Sequence, residues 1–268
     1  MIRSPAVAGQ FYPGSSAALR QMISKLTPQS PAERCDAIVA VSPHAGYIYS
    51  GGVAAEVFAR INIPKDIIIL GPNHHGAGDQ LALMAEGEWE MPFGAVPINE
   101  ELAATILQHS ELIQADNRAH IPEHSLEVQL PFLQYHRQDI AIVPICVSYI
   151  SFEDCRQAGE DLADAVKEYN RPVLIVASTD MTHYESRESA SRKDKMALEH
   201  IAARNPQALY DTVVGNRISM CGIMPTTIAL TAANKLGAQK AELVRYTDSG
   251  ETSGDTGHVV GYAGYIIS

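Results

Sequence analysis

Apolar runs of strand length alternate with amphipathic stretches of helix length along most of this chain. The runs IIIL, AIVPICV and VLIVAS are almost continuously apolar and rich in β-branched residues, as is typical of parallel strands that are covered on both faces. The strands predicted in this way span residues 37–42, 66–71, 80–84, 140–147, 172–178, 241–247 and 259–267. The predicted helices span residues 15–26, 51–59, 99–108, 123–137, 152–169, 188–203, 206–214 and 224–236. Such alternation predicts an α/β protein.

The end of the chain modifies this pattern. The last two predicted strands, 241–247 and 259–267, are separated by a glycine-rich loop, and we expect them to close the sheet with antiparallel pairing. No internal repeat or linker divides the 268 residues, of which 46% are hydrophobic. We therefore predict a single α/β domain over residues 1–268, with a central mixed, largely parallel sheet flanked by helices.

Charge and composition restrict the function. With 20 basic and 31 acidic residues the formal charge is −11, which disfavours nucleic acid and anionic membranes as partners. The N-terminal stretch lacks the features of a signal peptide, and no apolar run approaches the roughly 18 to 20 residues that span a bilayer. We therefore expect a cytoplasmic protein. Its four scattered cysteines are expected to be reduced thiols.

Polar side chains follow three of the predicted strands. His44 follows the first strand, His74 and His75 follow the second, and Asp180 and His183 follow the run VLIVAS. The carboxyl ends of parallel strands meet at one edge of a sheet, where ligands bind in open α/β folds. Because several titratable groups buried together must be paired or hold a cation, this pattern predicts a metal site. Histidines with a carboxylate or a thiolate favour iron, copper or zinc over magnesium or calcium.

Two further clusters carry chemistry of the same kind. The stretch EHSLE contains Glu123, His124, Ser125 and Glu127, and the stretch SMCGIMP contains Cys221. Each residue also has an ordinary interpretation: Ser125 could cap a helix, Glu127 could lie on a solvated helix face, and Cys221 could be a small buried apolar residue.

The remaining histidines differ in the support that they have. Adjacent residues do not easily bind one ion, so we expect His74 to be the ligand and His75 to orient a neighbour or to face the substrate. Asp180 alone could equally cap a turn. The role of His258 stays open. Histidines without a supporting motif are expected at the surface: His109, His120, His136 and His200.

Several motifs together resemble one known family. They are PAVAGQFYP at 5–13, PHAGYIYSG at 43–51, ILGPNHHG at 69–76, EHSLEVQLPF at 123–132, STDMTHY at 178–184, CG at 221–222 and VVGYAG at 259–264. In this order and spacing they resemble the Memo-like family, of the AmmeMemoRadiSam system protein B type. That family is similar in fold to the class III extradiol ring-cleavage dioxygenases.

The resemblance implies roles for individual residues. In the dioxygenases two histidines and a glutamate hold Fe(II), and a further histidine acts as acid or base. By motif, His44 and His74 correspond to the two histidine ligands. Cys221 takes the third position, as in other Memo-like proteins. His183 corresponds to the acid/base histidine and Asp180 to a pocket residue that would hold it.

The change from carboxylate to thiolate affects the expected chemistry. A thiolate is softer, so it favours copper or zinc more than a carboxylate does and departs from the arrangement suited to O₂ activation. We place His124 at the pocket edge, as a further catalytic candidate.

The leading hypothesis is a metal-dependent redox protein that binds iron or copper and acts on an unknown small molecule or peptide. The alternative is a non-catalytic protein that binds a phosphotyrosine-like peptide in the same pocket. A zinc hydrolase ranks last, because H-E-x-x-H is absent, and a free reactive thiol at Cys221 stays open. The resemblance also implies a radical-SAM enzyme and a second small protein as partners.

Overall fold

A mixed sheet flanked by helices forms the protein in a computed structural model that describes residues 1–29 and 33–268. The strands are β1 (Ile2–Arg3), β2 (Val39–Ser42), β3 (Asp66–Pro72), β4 (Leu81–Leu83), β5 (Glu88–Trp89), β6 (Val96–Pro97), β7 (Gln114–Ala115), β8 (Ala141–Val147), β9 (Val173–Ser178), β10 (His183–Glu185), β11 (Ala241–Asp248) and β12 (Val259–Ile267). The helices are α1 (Ser16–Leu26), α2 (Tyr47–Ala59), α3 (Glu100–His109), α4 (Leu130–His136), α5 (Phe152–Tyr169), α6 (Arg187–Ala202), α7 (Pro206–Gly215), α8 (Ile223–Lys235) and α9 (Gly250–Ser253).

The centre of the main sheet is parallel. Strands β2, β9, β3 and β8 lie side by side in that order, and Ile68 of β3 pairs with Ile175 of β9 and Val143 of β8. Strand β12 pairs antiparallel with β2 and β11, and β4 pairs antiparallel with β8. The main sheet is therefore mixed and largely parallel, which confirms the predicted α/β fold. Strands β1, β5 and β6 form a separate three-stranded sheet.

Both faces of this sheet are buried. Ile68 packs in a cluster with Val143 and Ile175 on one face, whereas Ile67 and Ile69 belong to the cluster on the opposite face. Because successive side chains of a strand point to opposite faces, a strand covered on both sides must be apolar throughout. This explains the continuous apolar runs in the sequence.

The parallel register brings the strand ends to one edge. Ser42 at the end of β2 pairs with Ser178 at the end of β9, and Leu70 of β3 pairs with Ala177 of β9. Residues that follow these strands therefore start from neighbouring points, as the sequence predicts for the polar residues after each run.

Two local predictions are wrong. The predicted helix 123–137 starts late: a 3₁₀ turn covers Glu127–Gln129 and α4 begins only at Leu130. His120, predicted at the surface, is completely buried, with Nε2 3.0 Å from the carbonyl oxygen of Ala82 and Nδ1 3.4 Å from Cys146 Sγ.

Two further expectations concern cysteines and membranes. All four cysteines are free thiols. Within residues 1–29 and 33–268, none of the helices has both the length and the apolar character required to cross a bilayer.

Candidate metal centre

Three donor side chains meet at the carboxyl edge of the sheet. His44 follows β2, His74 follows β3, and Cys221 lies in the turn before α8. One ligand atom from each lies within 4.8 Å of the other two. Residues 44, 74 and 221 are thus brought together from three separate parts of the chain.

His44 is buried, and both of its ring nitrogens have neighbours. Nδ1 lies 2.9 Å from Ser178 Oγ and Nε2 lies 3.2 Å from Cys221 Sγ. Its backbone N–H donates to Asp180 Oδ1 at 2.8 Å, which fixes the chain at the strand end. Burial, followed by the nearby His124 and His74 rings, lowers the pKa of His44 well below its usual value. The imidazole is therefore neutral, as a metal ligand must be.

Glu123 orients His74. Its buried carboxylate accepts the backbone N–H of His74 at 2.7 Å and lies 2.9 Å from His74 Nδ1. Burial raises the pKa of Glu123, but the hydrogen bonds and charge of His74 outweigh it and hold that pKa below its usual range. An ionised carboxylate only accepts hydrogen bonds, so Nδ1 of His74 carries a hydrogen and Nε2 is the ring nitrogen left for a metal. Ligating histidines are commonly aligned by such a carboxylate.

The backbone of Asp180 contacts the Cys221 sulfur, and its carboxylate contacts His44. The backbone N–H of Asp180 donates to Cys221 Sγ at 3.3 Å, and Asp180 Oδ2 lies 3.9 Å from His44 Nε2. Burial, and then the Asp180 charge, raises the pKa of the Cys221 thiol well above its usual value. Burial raises the pKa of Asp180 to about 6 despite its bond from the His44 N–H. Binding of a cation at Cys221 would therefore release the thiol proton.

His124 lines the same site. Its ring stacks on His74 with centroids 4.7 Å apart and planes at 19°, and its centroid is 5.5 Å from that of His44. Phe11 packs on it at 4.8 Å. Burial lowers the pKa of His124 to about 4, partly offset by the Glu123 charge, so its ring is neutral at pH 7. Ligand atoms of His74, Glu123 and His124 also lie within 4.8 Å of one another.

His183 has a different partner from the one expected. Its Nδ1 lies 2.8 Å from the carbonyl oxygen of Ser219, and its backbone N–H donates to Ser219 Oγ at 2.8 Å. The prediction that Asp180 holds this ring is therefore wrong, although the His183 charge still acts on the pKa of Asp180. His75 and His258 are exposed.

Glu123 and Glu127 were underestimated from the sequence. Glu127 is completely buried, so its interpretation as a solvated residue is wrong. It accepts hydrogen bonds from Arg3 and Tyr12, and from the backbone N–H groups of residues 6 and 7. For Glu123 one signal was available: a glutamate directly before His124 in EHSLE suits the carboxylate partner that aligns a ligating imidazole.

These features define an α/β protein with a histidine, histidine and cysteine cluster at the carboxyl edge of a parallel sheet. The family model described as "Memo-like protein" matches residues 3–266. A MEMO1 family protein of Methanopyrus kandleri is 40% identical over 280 residues, covering 100% of this chain and 99% of the relative. Another from Aquifex aeolicus is 41% identical over 267 residues, covering 99% of each chain. The chain therefore belongs to the Memo-like family.

A solved structure supports the fold independently. The crystal structure of an uncharacterized protein from Escherichia coli K12 is similar with a TM-score of 0.60, covering 85% of this chain and 98% of that one. The sequences are only 13% identical, so this similarity concerns the fold alone.

Proposed function

We propose that this Memo-like protein is a metal-dependent oxidoreductase that holds iron or copper at His44, His74 and Cys221. The observation that carries the proposal is the clustering of the three ligand atoms within 4.8 Å. Two imidazoles with a sulfur suit a transition metal and do not suit magnesium or calcium. Zinc fits the same donors, but it has no redox chemistry of its own.

The bound metal would supply electron transfer and polarisation of a substrate, and the surrounding side chains would move protons. His124 is neutral at pH 7, since its pKa is about 4. Asp180 has a pKa of about 6, and its Oδ2 lies 3.9 Å from His44 Nε2. A group whose pKa is near the working pH can both take and give a proton. His183, oriented by Ser219, is a further candidate for moving protons.

The sulfur donor separates this site from ring-cleaving dioxygenases. Cys221 takes the place of the carboxylate that completes the iron site of those enzymes, and a thiolate favours softer ions such as copper. The proposed substrate is therefore a small molecule or peptide that undergoes redox chemistry rather than catechol ring cleavage.

A phosphotyrosine-like ligand fits less well. Binding of a dianion requires positive charge, but the lowered pKa values of His44 and His124 remove that charge at neutral pH. A metal would have to supply it. This is why the metal proposal is preferred over non-catalytic peptide binding.

Metal uptake tests the proposal. Protein purified without chelators is loaded anaerobically with Fe(II) or Cu(I), and we expect roughly one ion per chain with proton release. His74→Ala and Cys221→Ser are expected to lose this ion, and oxygen consumption by the loaded protein should be lost with it. His75→Ala is the matched control, because His75 is the exposed neighbour of His74. The proposal would be contradicted if the wild-type protein took up neither ion, or if His75→Ala lost the ion to the same extent as His74→Ala.

A further inference from the structure

Gln129 lies beside Ser178, and the orientation of its side-chain amide is fixed. The residue is completely buried, and its Nε2 lies 2.9 Å from the carbonyl oxygen of Pro43 and 2.9 Å from Ser178 Oγ. A carbonyl oxygen only accepts, so the amide nitrogen and not the amide oxygen must face Pro43. A flipped amide would bring two acceptors together. Gln129 therefore donates to Ser178 through its second amide hydrogen.

The hydroxyl of Ser178 has one hydrogen for three neighbours. Gln129 already donates to the oxygen, so the hydrogen cannot point there. The carbonyl oxygen of Ser125 lies 2.7 Å away and can only accept. If the hydrogen pointed elsewhere, two oxygens would face each other at this distance without a hydrogen between them. The hydroxyl hydrogen therefore goes to Ser125.

This accounting determines the tautomer of His44. Because the Ser178 hydrogen is used on Ser125, the oxygen can only accept from His44 Nδ1 at 2.9 Å. Nδ1 must then carry the ring hydrogen. Nε2 keeps its lone pair, and that lone pair faces Cys221 Sγ at 3.2 Å. Ring tautomers are inferred from hydrogen-bond partners in this manner.

We infer that Ser178, whose hydroxyl hydrogen is taken by the Ser125 carbonyl, is a positioning residue that keeps the lone pair of His44 on Nε2 for metal binding. The inference rests on the proposed metal site. Glu123 imposes the same tautomer on His74, so oxygens of residues 123 and 125 together set both imidazoles.

Loss of the Ser178 hydroxyl removes this constraint. In Ser178→Ala the acceptor of His44 Nδ1 is gone, so the tautomer with hydrogen on Nε2 becomes accessible. That tautomer cannot bind a metal through Nε2. Loss of a group that orients a ligating histidine typically weakens metal affinity about 10- to 100-fold, and we expect Ser178→Ala to fall in this range.

Gln129→Leu offers a matched control. It removes a buried hydrogen bond to Ser178 Oγ but leaves the Ser178 hydroxyl and the Ser125 carbonyl in place. The hydroxyl hydrogen therefore stays on Ser125, and His44 Nδ1 keeps its acceptor. Gln129→Leu thus reports the cost of a lost buried bond at the same site without the change of tautomer.

The test combines ¹⁵N histidine NMR of metal-free protein with Fe(II) and Cu(I) titration. In the wild type and in Gln129→Leu we expect the His44 signal, assigned with His44→Gln, to report hydrogen on Nδ1. In Ser178→Ala we expect mixed tautomers and weakened binding.

Two results would overturn the inference. One is a wild-type His44 with hydrogen on Nε2, which is measured whether or not the variants fold, and the other is an unchanged His44 tautomer in folded Ser178→Ala. If the tautomer shifts as expected in Ser178→Ala but the wild-type protein takes up neither ion, the role of Ser178 on the ring is supported and the proposed metal function is refuted.

Discussion

Arg3 and Glu127 form an ion pair that is shielded from water. Arg3 Nη1 lies 2.7 Å from Glu127 Oε2, and the two side chains are 1% and 0% exposed. Arg3 also donates to the carbonyl oxygens of His120 and Glu123, and its guanidinium stacks on Trp89 at 4.0 Å. The pair thereby joins the N-terminal strand to the segment that orients His74.

Removal of one partner should be costly. In Glu127→Gln the guanidinium of Arg3 stays buried without a counter-charge, and a broken buried pair typically costs about 3 to 5 kcal/mol. We expect a loss of this size in the free energy of unfolding, measured with urea. Glu251→Gln is the control, since Glu251 pairs with Arg245 at the surface and such pairs contribute about 0 to 1 kcal/mol. Equal losses in both variants would contradict the interpretation.

Burial of His120 makes stability depend on pH. Burial lowers its pKa from 6.5 to about 4. Between these two pH values the unfolded chain therefore binds a proton at His120 that the folded protein does not bind. The contribution of His120 to the free energy of unfolding is about 3 kcal/mol. It is complete above pH 6.5 and is lost as the pH falls toward 4.

Comparison of the wild type with His120→Gln isolates the contribution of His120 to the pH dependence of stability. His120→Gln cannot titrate, so its free energy of unfolding should fall less steeply between pH 6.5 and pH 4 than that of the wild type. Other buried histidines stay in both proteins and cancel in the difference. Parallel curves for the two proteins would exclude this role for His120.

At the scale of elements, the turn between Met220 and α8 depends on glycine. A Cβ atom at Gly222 would overlap the carbonyl oxygen of Ser178 and the side chain of Thr179. The Gly222 N–H donates to Thr179 Oγ1 at 3.0 Å. Absence of a side chain therefore allows the turn that carries Cys221 to lie directly against the end of β9.

Gly222→Ala should displace this turn. Overpacking against backbone costs about 1 to 3 kcal/mol, and we expect that destabilisation together with weaker metal binding at Cys221. Gly215→Ala is the control, because nothing lies within 4 Å of a Cβ atom there. Chemical denaturation and metal titration of the two variants make the comparison. Unchanged metal affinity in Gly222→Ala would argue against Cys221 as a ligand.

Long elements were predictable from sequence, and short ones were not. Strands β3, β8 and β9 lie within one residue of their predicted bounds, because burial on both faces requires continuous apolar runs. Strands such as β1, β5 and β7 have two residues each. Two residues are too few to show a period of two, so only tertiary contacts define them.

The predicted first residues of two helices are wrong, for reasons that the structure shows. Helix α2 begins at Tyr47, four residues before the predicted start, and continues through Gly51. Glycine ordinarily weakens a helix, but a Cβ atom at Gly51 would lie 2.8 Å from Leu26 Cδ1, so close packing of the helices accounts for it. Helix α4 starts late because Glu123 and Ser125 use their hydrogen bonds on β3 and its following loop.

At the scale of the whole molecule, the edge of the sheet was predictable and the hydrogen bonds across it were not. The convergence of residues 44, 74 and 180 follows from strand order and parallel register. The bond from His183 to the carbonyl oxygen of Ser219, and that from Gln129 to Ser178, join segments 36 and 49 residues apart in sequence. No local pattern records such partners, since they depend on tertiary distances.

Because the three donors are far apart in the chain, metal binding and folding should be coupled. A ligand that binds only the folded protein stabilises it, by about 2.7 kcal/mol at a concentration 100 times its Kd. Anaerobic thermal unfolding of the wild type and of His75→Ala should therefore shift upward as Fe(II) increases. His74→Ala should show no such shift. An equal shift in all three proteins would indicate binding elsewhere.

Cys221 differs from the two histidines in where it originates. His44 and His74 follow β2 and β3, which flank β9, whereas the sulfur comes from a turn outside the sheet. In the proposed metal site, exchange of this one residue would therefore alter which ions are preferred and how readily electrons are passed, while strand pairing stays intact. On that proposal, rigidity comes from the sheet and redox tuning from a single position outside it.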